Sequence, residues 1–424
     1  MQMFWLIEDK EQLERFNNRG FKEVFLEVIP HNFNTHPILD SVSLLYVRPF
    51  NANKGYMVCV DHSEAMSLNI DEVIQTLKGI EKIYVRDKKS VLQYLPLKAL
   101  FDILPTHNTY IPEQPHVYSF FYQKHKDKKD INRLIPVVKH YEYCENVFRD
   151  LKPYNIICDD FYCQWFNKKS SIVFSAIEAN GLKVNKELFE QHFHPIEGDY
   201  VYTQYNLKTL TTRPSNSFNG VNYAALNKDN GARQCFIPRN DLLVELDISA
   251  YHPSLLANIV GYDFGGGDVH AAFAEMYKVD YKKAKELTFK QLYGGVFDQY
   301  KDLEFFKKVK VYTDNLWENY QENGWIEAPN SGYIYSEDNL TDMKPQKLLN
   351  YVLQNLETST NVSILWEILK LLRGKKTKLV LYTYDSFLFD YAEEDRQVLK
   401  EVQKIIKSFK LNTKISYGDT YDFT

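Results

Sequence analysis

The stretch LLVELDISAYHPSLLANIVGYDF, from Leu242 to Phe264, decides how the rest of the chain is read. It opens as an apolar run, Leu242-Leu243-Val244 and then Leu246, with the length of a buried strand. The run ends on a carboxylate, Asp247. Pro253 then stands where a first helical turn accepts proline, and Ser254 to Val260 continue with helical apolar spacing. A lone carboxylate therefore marks the exit of a hydrophobic strand, just before a helix. Two readings share that placement. The Asp ends a strand and caps the following helix, or it is a ligand that a rigid strand end fixes for metal-dependent phosphoryl transfer.

A second carboxylate of the same kind favours the ligand. Lys378 to Asp390, KLVLYTYDSFLFD, is two β-rich runs around a tight centre, which predicts a hairpin with Asp385 at or near its turn. Two divalent metals about 3.5–4 Å apart need carboxylates from separate strands, and such a pair clamps the attacking and leaving oxygens of an in-line displacement. A sheet can bring Asp247 and Asp385 together across the long sequence between them.

With these residues in place, the chain resembles the family A DNA polymerases, the bacterial polymerase I type, in a divergent, phage-like form. DISAYHPSLLA (247–257) is similar to motif A, YKKAKELTFKQLYGG (281–295) to motif B on the fingers helix, and YTYDSFLFD (382–390) to motif C, in the family's order. Ile177 to Val184 is similar to the segment opening the polymerase domain. Thr211-Thr212-Arg213 resembles the family's Thr-Gly-Arg, and Gly267 to His270 a segment just after motif A. Asn350 and Gln354 keep the spacing of a palm helix. The resemblance covers roughly residues 170–424 and implies an α/β and α+β multidomain protein. An exonuclease-like α/β domain (1–165) precedes a polymerase part (166–424), which has an antiparallel palm sheet and helical fingers (about 265–345).

The resemblance also implies roles. Asp247 and Asp385 bridge two Mg²⁺ ions, for which Mn²⁺ can substitute, and the Ile248 carbonyl is a further ligand. Lys285 holds the incoming triphosphate and serves as general acid. Phe289 and Tyr293 face the nucleotide; Lys285, Phe289 and Tyr293 share one helix face. Arg213, Asn350, Gln354 and Tyr384 contact the DNA. The expected activity is template-dependent synthesis from dNTPs on a primer-template, in replication or repair. A ribonucleotide-tolerant or primase-like polymerase is the alternative, and an inactive nucleic-acid-binding subunit is the alternative of another class. The family's sugar-gating Glu falls on His252, with Tyr251 beside it. Motif C lacks its second carboxylate, with Ser386 in its place and Asp390 further along. The Arg four residues before Lys285 falls on Tyr281, so Lys282 or Lys283 is expected to replace it.

The N-terminal part reads as strands at Phe21–Ile29, Ser41–Tyr46 and Gly55–Val60, with helices at Ile70–Leu77 and Val91–Leu104. It resembles the family's 3′–5′ exonuclease domain and aligns Glu27, Asp87 and Glu145 with its carboxylates, with Tyr141 four residues before the last. The first Asp of the family's pair falls on Phe25, so proofreading is expected to be lost. Only about twenty residues separate Glu190 from Thr211, and they include Pro195 and Gly198. At about 1.5 Å per helical residue they cannot build the family's long thumb, so a processivity partner is expected. Leu411–Phe423 resembles the family's final strand and tail, so the chain is expected to end where the family does.

Composition agrees with a globular enzyme. At 424 residues and 44% hydrophobic content, two or three domains with large cores are expected. The net charge of −5 argues against a general nucleic-acid glue, leaving attraction to local patches. Basic clusters occur at 124–129, 282–285, 307–310 and 373–378. Five cysteines without a CxxC pair argue against a disulfide framework or zinc site and fit a reducing compartment. With no signal-like start and no run of transmembrane length, the expected location is the cytoplasm, of the host if the chain is viral, with no membrane partner.

Overall fold

Strands that read as unbroken apolar runs need cover on both faces, and the first part of the chain supplies it. The computed structural model describes residues 3–102, 128–152, 166–216, 221–227, 229–337 and 340–423. They divide into two compact units, Met1–Ser175 and Ala176–Thr424. The basic run at 124–127 and the cysteines Cys158 and Cys163 lie outside the described residues; Cys59, Cys144 and Cys235 are buried free thiols.

In the first unit, β1 (Trp5–Ile7), β2 (Glu23–Pro30), β3 (Val42–Pro49), β4 (Tyr56–Cys59), β5 (Lys82–Val85) and β6 (Leu100–Asp102) form one sheet of order β1-β4-β3-β2-β5-β6. β2 runs antiparallel to β3 and parallel to β5. Val24, Leu26 and Val28 pack on one face with Leu13, Phe16, Val73 and Leu77, from the helices α1 (Lys10–Asn17) and α2 (Ile70–Leu77). Phe25 and Ile29 pack on the other with Cys144, Val147 and Phe148 of the helix Val137–Leu151. The helix expected over Val91–Leu104 is overturned: α3 spans only Lys88–Tyr94, and Leu100–Asp102 is a strand paired with β5. Pro96 explains the stop, because the residue before a proline, Leu95, is driven out of the α region.

The second unit is built on an antiparallel sheet. β7 (Leu242–Ile248), β8 (Lys378–Thr383), β9 (Ser386–Tyr391) and β10 (Thr413–Gly418) lie in the order β8-β9-β7-β10. In β7 the alternation puts Val244, Leu246 and Ile248 on one face and Glu245 and Asp247 on the other, half-buried. The helices α4 (Tyr251–Val260), α5 (Val269–Tyr277), α6 (Tyr281–Gly294), α7 (Glu304–Asn323), α8 (Pro345–Leu371) and α9 (Val398–Ser408) belong to the same unit, with α4 and α6 where the sequence predicts helices. β7 and the β8–β9 hairpin also fall where they are predicted, and residues 325–336 form a further hairpin. Gly265 and Gly266 adopt positive φ in the loop between α4 and α5, and a Cβ added at Gly265, Gly266 or Gly267 meets nothing within 4 Å. Residues 193–216 hold short strands and turns with no helix. Among the described residues, no helix is long and apolar enough to cross a membrane.

Candidate active site

Register brings the two acidic residues to neighbouring backbone positions. Asp247 pairs with Ser386 across β7 and β9, and the Ile248 amide donates to the Asp385 carbonyl at 2.7 Å. Thr383 pairs with Ser386, so the turn is only Tyr384 and Asp385. Asp247 does not cap the next helix: the residue before α4 is Ala250, which makes no side-chain cap. The Asp385 residue is exposed at the turn, yet packed protein around its carboxyl raises its pKa above the usual range. Loss of solvation is the main cause, and the Glu357 carboxylate adds to it; a hydrogen bond from its own backbone, then Arg213 and His252, oppose it.

The turn is held from below. Tyr384 adopts φ +58°, an unusual value for a bulky residue. The Arg213 guanidinium lies 3.6 Å from its ring centroid, and Asn361 Nδ2 donates to its carbonyl at 2.7 Å. Asn361 also donates to the Tyr382 hydroxyl at 2.9 Å and accepts from the Tyr251 hydroxyl at 2.8 Å. Tyr251 is thereby anchored inside, while its neighbour His252 meets two other partners. His252 Nδ1 contacts the Tyr293 hydroxyl, and Nε2 contacts the buried Glu357 carboxylate. Glu357 also accepts from Arg213 Nε at 2.9 Å.

The Thr211-Thr212-Arg213 segment docks on α8 residue by residue. Thr211 donates to Gln354 at 3.1 Å, Asn355 to Thr212 at 2.9 Å, and Arg213 to Glu357. Asn350 lies one turn before Gln354, and its Oδ1 is buried without a hydrogen-bond partner.

On α6, Phe289 and Tyr293 stack with rings 6.2 Å apart and nearly parallel. Exposed Lys285 lies one turn before Phe289. His270 of α5 faces Phe289 at 6.0 Å; burial, then the Lys285 charge, lowers its pKa, so it is neutral near pH 7. Most lysines of the expected fingers are neutralised locally, including Lys283 by Glu286, Lys290 by Glu286 and Lys307 by Asp302. Lys282 and Lys285 form no ion pair among the described residues. Of the two replacements expected for the missing Arg, Lys283 is thus committed elsewhere.

Asp390, further along the hairpin, is buried, accepts from Arg239 Nε at 3.2 Å and from the amides of Arg239 and Asn240, and pairs in register with Leu243 at the far end of β7. Glu357 and Asn361 are not among the residues the sequence singles out, and His270 enters there only as the end of the Gly267 to His270 match. The signal for the first two is a stripe on α8: Asn350, Gln354, Glu357 and Asn361 follow offsets of four, three and four, which is one helix face.

In the first unit, the carboxylates aligned with an exonuclease are each engaged. Glu27 is paired with Arg86 at 2.5 Å. Asp87 caps α3 through the Lys89 amide, and Glu145 accepts from Tyr46 at 2.5 Å and Arg48 at 3.2 Å. Phe25 is wholly buried between Tyr46 and Phe148.

No protein-family model matches the sequence, and no curated protein matches it. Among solved structures, the chain is similar to the POL domain of Pol1 from M. smegmatis, in a complex with a DNA primer-template and a dNTP. The TM-score is 0.71 at 11% identity, over 98% of this chain and 99% of that one. At that identity the likeness is one of fold: the chain is a mixed α/β multidomain protein with a polymerase-like fold.

Proposed function

We propose that the chain is a template-directed DNA polymerase that adds deoxynucleotides to a primer 3′ end. The observation that carries this reading is the junction of Asp247 and Asp385 at the end of neighbouring antiparallel strands, in a polymerase-like fold. The solved relative is a complex with primer-template and dNTP, and the same partners are proposed here.

The donor set fits magnesium. It is all oxygen: two carboxylates and the Ile248 carbonyl. Mg²⁺ is usually held by one or two carboxylates, with waters and substrate phosphates completing its shell. Among the described residues no group of three or more His, Cys, Asp or Glu side chains is placed to hold a metal; waters and substrate oxygens would complete the shell. Loss of solvation, with the Glu357 charge adding to it, raises the Asp385 pKa, and a bound divalent ion would offset both. When bound, the ions supply charge neutralisation for an in-line displacement.

The chain's own residues position the reactants. Lys285, free of ion pairs among the described residues, anchors the triphosphate and holds the proton for the leaving pyrophosphate; neutral His270 beside it adds no competing charge. Phe289 and Tyr293 form the nucleotide face. His252 stands where the ribose 2′ position is sensed. Arg213 uses Nε on Glu357 and keeps its terminal nitrogens for the primer end, beside Tyr384, Gln354 and Asn350. We read the first unit as an exonuclease-like module without proofreading. Extension of a labelled hairpin primer-template in Mg²⁺ tests the reading. Asp247→Ala and Asp385→Ala should each abolish extension, and near wild-type extension by either would sink it.

A further inference from the structure

Glu357 is a buried carboxylate, 2% exposed, on a helix where a lone Glu ordinarily faces water. It joins the two sides of the proposed nucleotide pocket. One oxygen accepts from Arg213, which lies against Tyr384 beside Asp385; the other meets His252, whose second ring nitrogen meets Tyr293 on α6.

We propose that Glu357 is the positioning residue that makes His252 a fixed wall against ribose, and so sets the choice between deoxyribonucleotides and ribonucleotides; this rests on the polymerase reading above. A carboxylate only accepts, so Nε2 carries the hydrogen toward Glu357. In the neutral ring Nδ1 is then an acceptor for the Tyr293 hydroxyl. The imidazole is pinned at both nitrogens and cannot swing aside. It also has no nitrogen left to bond a 2′-hydroxyl. A ribose pressed against it loses water from that hydroxyl and gains no partner, which disfavours it on the order of tenfold or more.

The test is the ratio of kcat/KM for dCTP over CTP opposite a template G. Wild type should show clear discrimination. His252→Ala and Glu357→Ala should each lower the ratio on the order of tenfold, Glu357→Gln should lower it less because one acceptor remains, and Tyr293→Phe should lower it with the buried pair intact. Adding Glu357→Ala to His252→Ala should change the ratio no further, since the wall is already gone. A purely structural Glu357 would slow both nucleotides and leave the ratio alone; that result overturns the proposal, as does multiplication of the two effects. If Glu357→Ala does not fold, Glu357→Gln and Tyr293→Phe decide, and an unchanged ratio in both overturns it. An active wild type without sugar discrimination overturns this proposal alone; a wild type that extends with neither sugar overturns the polymerase reading and this with it.

Discussion

Replacing Asn361 by Ala should cost both stability and catalysis, for separable reasons. The side chain is fully buried and makes three hydrogen bonds, to Tyr382, Tyr384 and Tyr251. Its loss takes one hydrogen bond from each of two tyrosine hydroxyls and a carbonyl, while Tyr251 keeps a 3.3 Å contact to the Glu357 carbonyl. At about 1 kcal/mol for each group, the unit loses roughly 3 kcal/mol. For a unit of this size that lowers the melting midpoint by about 6–12 °C. Catalysis should fall further than stability. The Asn361 bond to the Tyr384 carbonyl restrains a turn with a strained φ, and freeing it lets Asp385 drift. A displacement of about 1 Å at a reacting centre costs on the order of a hundredfold. Thermal melting and single-nucleotide incorporation below the melting range measure the two separately. A midpoint within a degree or two of wild type would refute the burial argument. A lowered midpoint with intact incorporation would refute the role of the turn.

Three further outcomes are expected. The first unit should not shorten a mismatched primer in Mg²⁺; time-dependent shortening that disappears in Glu27→Ala would contradict this, because Glu27 is spent on Arg86. The protein should be distributive and salt-sensitive, since residues 193–216 hold no helix and the net charge is −5; long products from one binding event in a heparin trap, without a partner, would contradict that. Stability should fall in mild acid through His140. Burial first, and then His62, hold its pKa down at about 3, so the unfolded chain binds its proton more readily, and stability present above about pH 6.5 is lost as pH falls. Two pH units below that, the loss is roughly 3 kcal/mol. His140→Gln should flatten the melting midpoint between pH 7 and 4.5; an equally steep fall would point to other groups.

What could be read from the sequence follows how local each signal is. The β7 run, the hairpin around Asp385 and the helices of motifs A and B carry their periodicity within a dozen residues, so they were legible. The Val91–Leu104 helix failed because apolar spacing was weighed above the break before Pro96. Asp390 shows what sequence nearness leaves out: four residues from Ser386, at about 3.3 Å each, put it well away from the turn. Glu357 was invisible for the opposite reason. Its partners Arg213 and His252 lie 144 and 105 residues away, and nothing local to α8 announces a carboxylate that must be buried.

The chain offers two places of opposite tolerance to extra length. In the turn of Tyr384 and Asp385 there is no slack, and one inserted residue would send every side chain of β9 to the wrong face. Between α4 and α5, Gly265 to Gly267 sit in open space, where doubling the length of a connection costs only about 0.6 kcal/mol. A reporter domain or an affinity module spliced there would ride beside α5 and leave the register of β7 and β9 untouched.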